Sequence, residues 1–152
     1  MANIDSAKHN GTLHFAAGHN ANVRVLDFIV DFAKDFTMAN ATDDIDLVTL
    51  PGGAVVVGLT VQQLVAGTGT GTVVARVGTT TLSATLASTA TAGTVAASVP
   101  AAIPAVVPAA GAELNLLGAT AVRTDGKLRV IAVVVEGGRE PREATTVKRD
   151  AI

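Results

Sequence analysis

Between Asp46 and Glu113 the chain carries one charged side chain, Arg76. An ordinary domain spreads charge over its whole solvent face, about a quarter of its residues. A stretch this long built from Ala, Val, Thr and Gly has two physical solutions. Either Thr and Ser hydroxyls solvate it, which strands tolerate well, or part of it is buried against copies of itself or a larger assembly. The same poverty works against catalysis, because an active site needs titratable groups and a concave pocket to hold them.

Composition narrows the fold. Of 152 residues 49% are hydrophobic, yet there is no Trp, Tyr or Cys and only four Phe. That length fits one core plus arms. A core made mostly of Ala and Val is thin, and two facing sheets suit it better than a few aromatic plugs. Without cysteine there are no disulfides and no thiolate metal site, so the remaining staples are oligomerisation or docking on a larger body. The net charge of −2 argues against nucleic acid as a partner, since phosphate binding wants a basic face. The opening MANIDSAKHNGTLHF lacks the apolar core of a signal peptide. Apolar runs elsewhere are too short, and too often broken by Thr, Gly and Pro, to span a bilayer, so no membrane partner is expected.

Along the chain, residues 1–22 are polar and rich in Asn, Gly and His, which reads as an N-terminal arm. Over 23–36 Leu26, Phe28, Val30 and Phe32 alternate with Asp27 and Asp31, the pattern of a half-buried strand. Phe28, Phe32 and Phe36 also fit helical spacing, but the β-branched content favours the strand. A turn at 41–46 leads to a short strand at 47–50, and Pro51-Gly52-Gly53 turns the chain again. A long strand is expected at 54–66, with GTGTG (67–71) turning into a hairpin partner at 72–78. Further strands are expected at 79–87 and 95–99. Pro100, Pro104 and Pro108 cannot donate to a ladder, so 100–111 reads as a crossing segment or a sheet edge. Thr124-Asp125-Gly126 between apolar runs at 113–123 and 127–137 is the strongest hairpin signal in the chain. From Arg139 the chain is polar and charged, a C-terminal arm. The expected organisation is therefore an N-terminal arm (1–22), a sandwich domain (23–138) and a C-terminal arm (139–152). The expected fold class is all-β, a jelly-roll-like antiparallel β-sandwich of about eight strands with extended N- and C-terminal arms.

The candidates for chemistry are thin. His9, His14 and His19 recur every five residues, a spacing that puts them on one face of neither helix nor strand, so they read as arm histidines rather than metal ligands. Asp43, Asp44 and Asp46 lack the Gly and Glu of a calcium loop and read as a strand-initiating turn. GTGTG has no following Lys-Ser/Thr pair and no helix, so it is not a phosphate loop. Asp5, Ser6 and His9 make a chance triad on an arm, and no nucleophile elbow or HExxH is present. The Thr-x-Thr pairs at 68–72, 79–81 and 89–91 drift in interval and read as strand-surface threonines. The expectation is a protein that is not an enzyme, with no catalytic residues, no cofactor and no metal. Its contact residues are expected in the arms: Leu13 and Phe15 in the first, and Arg139, Arg142, Lys148 and Arg149 in the second.

Three segments carry a resemblance: DFTMANATDDIDLVTLPGGAVVVGLTV (35–61), VVARVG (73–78) and LNLLGATAVRTDGKLRVIAVVVEG (114–137). Their order, an aspartate-rich approach, a Leu-Pro-Gly turn into a long strand, a short strand ending in Gly and a closing Asp-Gly-Lys, resembles the small capsid decoration, or cement, proteins of tailed double-stranded DNA bacteriophages. The resemblance covers about residues 23–137 and leaves the prolyl segment and the charged tail unmatched. It implies a jelly-roll-like sandwich on the outside of an icosahedral head. Its implied partners are the major capsid protein and itself, as a homodimer or homotrimer, with synthesis in the host cytoplasm. It transfers no contact residue. The competing class is a carbohydrate- or receptor-binding module of a fibre or adhesin, which the lack of Trp and Tyr disfavours.

Overall fold

Strict two-residue alternation over Leu26, Phe28 and Val30, and again over Leu128, Val130, Ala132 and Val134, puts one apolar face of each strand into the interior, where all seven side chains are buried. The computed structural model describes residues 2–3, 10–16, 21–34 and 36–137, with side chains for 23–34 and 36–136. Its strands are β1 (Ala2–Asn3), β2 (Asn10–Ala16), β3 (Ala21–Asp31), β4 (Asp44–Leu50), β5 (Val55–Val65), β6 (Thr72–Val77), β7 (Thr80–Thr81), β8 (Leu86–Ala87), β9 (Val95–Ala96), β10 (Ala105–Val106), β11 (Ala112–Ala119) and β12 (Lys127–Gly137). No helix occurs among the described residues.

The strands form two sheets. Sheet A has the order β1-β4-β11-β6-β7, with β8 also on β6; sheet B has the order β10-β5-β12-β3-β2, with β9 also on β5. Every pairing is antiparallel except the two-residue contact of β1 with β4. With β7 and β8 taken as one interrupted strand, and β9 and β10 as another, eight strand positions remain: β4-β11-β6-β7/β8 faces β3-β12-β5-β9/β10. Successive strands from β3 to β6 alternate between the sheets, as do β11 and β12. This is jelly-roll order, and the all-β sandwich expected from the sequence is the fold. The segment read as an N-terminal arm contributes β1 to the edge of sheet A and β2 to the edge of sheet B.

Two expected hairpins are absent. The strands at 54–66 and 72–78 do not pair, nor do those at 113–123 and 127–137; in each case the two strands lie in different sheets. GTGTG and the Asp125-Gly126 loop are both crossovers at one end of the sandwich, and they hold each other. The Asp125 carboxylate accepts from the Thr68 N–H at 3.0 Å and from the Thr68 hydroxyl at 2.7 Å. Thr120 Oγ1 donates to the Thr70 carbonyl at 3.2 Å. The local turn signal of Asp-Gly loses because β12 has two better neighbours: it pairs along its whole length with β3 and almost all of it with β5. The strand expected at 79–87 shrinks to β7 and β8, with Leu82 and Ser83 tucked between them, and that at 95–99 shrinks to β9. The prolyl segment is a sheet edge, as expected, with Ala105 and Val106 pairing to Val56 and Val55.

At the crossover end of the core lies one buried cation. Arg123 is 1% exposed, with its guanidinium 4.5 Å from the centre of the Phe32 ring and one nitrogen donating to Gln63 Oε1 at 2.9 Å. Burial pulls its pKa down to about 10, with Asp125 opposing. Gln63 is itself buried and spends its amide on the Val65 and Ser88 carbonyls.

Candidate interaction surface

The outer faces of the two sheets are chemically opposite, and strand register shows why. Across sheet B the outward row runs Val106, Val55, Val135 and Val23, each paired with the next. Beside it Val133 stands opposite Val25 on one side and Gly58 on the other. A bulge at the end of β5 turns Val57 outward as well, 43% exposed. Val106, on the edge, is 68% exposed. The register of β2 extends both rows, setting Phe15 opposite Val23 and Leu13 opposite Val25. Charge on this face is confined to the other end and is internally matched. Asp27 receives Arg129 in a bidentate pair at 2.9 and 2.5 Å, and Asp31 meets Lys127 at 3.4 Å.

Across sheet A the corresponding row is polar: Asp46, Asn115 and Arg76 are successive cross-strand partners. Arg76, the sole charge of the long uncharged stretch, is consumed there. Its Nε donates to Asn115 Oδ1 at 2.8 Å and a terminal nitrogen meets Asp44 at 3.2 Å. Arg76 thus pairs with one of three neighbouring carboxylates, Asp44, and leaves Asp46 and Glu113 against each other. Burial is the chief cause that pushes Asp46 up to about 6. The hydrogen-bonded contact with the Glu113 carboxyl and the charges of Glu113 and Asp44 add to it, and Asn115 opposes. Asp46 is 5% exposed and its Oδ1 finds no partner. Asp43 has a different job. It caps the preceding turn by accepting from the Asn40 backbone N–H at 3.0 Å, which holds its pKa below the usual carboxylate value.

Between these faces runs the sandwich edge made by residues 78–111, which contains no charged residue. Thr79, Thr80, Thr81, Thr91, Val95 and Val106 are all exposed along it. A cleft of about 80 Å³ opens there between the β6–β7 turn and β10, lined by Val77, Gly78, Thr79, Thr80, Ala105, Val106 and Pro108. Ligand sites usually run to roughly 300 Å³ or more, so this cleft has room for a side chain of a protein partner rather than for a substrate. Among the described residues no group of three His, Cys, Asp or Glu is placed to hold a metal.

Of the contact residues expected from the sequence, Leu13 and Phe15 have their backbone in β2 on the edge of sheet B, in register with the valine rows. Arg139, Arg142, Lys148 and Arg149 lie outside the described residues. Sequence reasoning missed the valine face itself. Its members come from four separate segments, and in three of them they stand beside core valines (Val56, Val107 and Val134), so composition does not separate inside from outside.

No protein-family model matches the chain, and no curated protein does. Among solved structures, a chain of the Cyanophage Pam1 capsid asymmetric unit is similar over 87% of this chain and 95% of that one. The identity is 23% and the TM-score 0.49. So distant a likeness carries no assignment of function, and the jelly roll stands on the strand order described above.

Proposed function

We propose that this protein is a structural component of a virion, bound to the outer surface of a phage capsid, where it cements neighbouring major capsid subunits and has no catalytic role. The observation that supports this reading most is the edge at 78–111, which is free of charge, exposes Thr79, Thr80, Thr81, Thr91, Val95 and Val106, and opens into a side-chain-sized cleft. A large uncharged exposed surface marks protein contact. The sequence resemblance to capsid decoration proteins points the same way. The mechanism is area and repetition. Each copy adds a modest contact, and attachment at many equivalent places on a closed shell multiplies it by avidity.

The test is co-sedimentation of the purified chain with cognate phage heads lacking it. Saturable binding at a fixed number of copies per shell is expected. Thr80→Lys, which places a charge on the uncharged edge beside the cleft without touching the core or the sheet B face, should weaken that binding by about tenfold or more. Heads that bind neither protein, or both equally, sink the reading.

A further inference from the structure

We infer that the outer face of sheet B is a self-association surface, on which a second copy of this chain packs face to face about a two-fold axis. This deepens the reading above by naming which surface meets which partner, and it is tested without a capsid.

Area is the first argument. Strands β3, β5 and β12 each run 11 residues, or ~36 Å at ~3.3 Å per residue, and five strands at ~4.8 Å span ~24 Å. Because β10 has 2 residues and β2 has 7, the face is smaller than that rectangle, on the order of 670 Å², within the ~600–1,000 Å² per partner of a stable interface. The valine rows alone would fall well short of that, so the occupant must cover the whole face. A second copy of the same face has that size and shape.

Charge is the second argument. An isologous contact lays one patch against another copy of the same patch, so a face with net charge repels itself. The sheet A face, with Asp44, Asp46 and Glu113 against Arg76, does so. The sheet B face does not, because its two acids and two bases are already paired with each other at one end. Those pairs sit at one end of the contact, and the valine rows form its dry part at the other. β-Branched side chains on a regular pleat interdigitate at the ~10 Å spacing of stacked sheets. Two sandwiches would then meet as four stacked sheets.

The experiment is light scattering on the full chain across a wide dilution series, with Val133→Asp, Val57→Lys and, as a control on the opposite face, Val74→Asp. The wild-type chain and the control are expected to run as dimers. Val133→Asp and Val57→Lys are expected to shift the midpoint to at least about tenfold higher concentration. Val57 is half exposed, so its variant folds even if Val133→Asp does not; circular dichroism checks both. A monomeric wild type, or dimers that survive both sheet B substitutions, would overturn the inference. So would a chain that dimerises only after removal of residues 138–152, since its own tail would then be the occupant. Head binding is read separately: monomeric variants that still bind heads refute nothing in the capsid reading, and dimers that bind no heads refute it alone.

Discussion

Asp46 is an acid on the solvent side of a strand that is nonetheless 5% exposed, roofed by its neighbours and set against Glu113. Its raised pKa is a statement about stability. In the folded state it holds its proton to about 6, whereas in the unfolded chain it releases it near 3.8. Between those values the native state binds more protons, so its contribution is fully present below about pH 3.8 and is lost as pH rises through about 6. Substituting Asp46→Asn keeps the shape and removes the charge. The variant is expected to gain about 2 kcal/mol over the wild type at pH 7.5 and little at pH 4, read as urea midpoints across that range. Equal pH profiles for the two proteins would dismiss the coupling. None of this was visible in the sequence, where Asp43, Asp44 and Asp46 look like one acidic turn. Register separates them into a turn cap, a partner for Arg76 and a buried carboxyl.

At the scale of elements, the alternation of β3, β5 and β12 was legible because a half-buried strand must repeat every two residues. Partner choice was not. Thr124-Asp125-Gly126 has the chemistry of a hairpin, yet Asp125 turns its carboxylate to Thr68 of the neighbouring crossover. Gly126 shows why the loop is what it is. Its φ is +88°, and a Cβ there would stand 2.9 Å from the Val65 carbonyl oxygen and 3.0 Å from the Gly67 nitrogen. Gly93 has a similar φ of +92° but open space around it. Gly93→Ala should therefore show only the left-handed backbone penalty, about 1 kcal/mol. Gly126→Ala should lose about 2 kcal/mol or more, because two backbones must also move apart. Thermal or urea unfolding of the pair checks the ranking, and equal losses would mean that the crossovers are not clamped together.

For the whole molecule, the topology closes late in sequence. β12 cannot pair until residues 127–137 return to residues 21–31, and its other edge must find β5. Such non-local pairing makes loop closure precede reward, so refolding is expected on the millisecond-to-second scale. Stopped-flow dilution from urea reads this directly, and a submillisecond main phase would contradict it. The same topology creates the two unlike outer faces, because it gathers the outward residues of β3, β5, β10 and β12 into one sheet and those of β4, β6 and β11 into the other.

The class of fold and the want of charge from Asp46 to Glu113 are both legible in the order of residues alone. Both are properties of local order: two-residue alternation, turn residues, and the plain count of ionisable groups. Where the one exception goes, and which surface is bare, depends on strand pairing. Arg76 is spent on Asn115 and Asp44 across strands that lie far apart in the chain. Valines of identical local pattern end inside or outside according to the face of the sheet on which they are set. Hydrogen-bond register across distant segments makes that choice, and no window of sequence contains it.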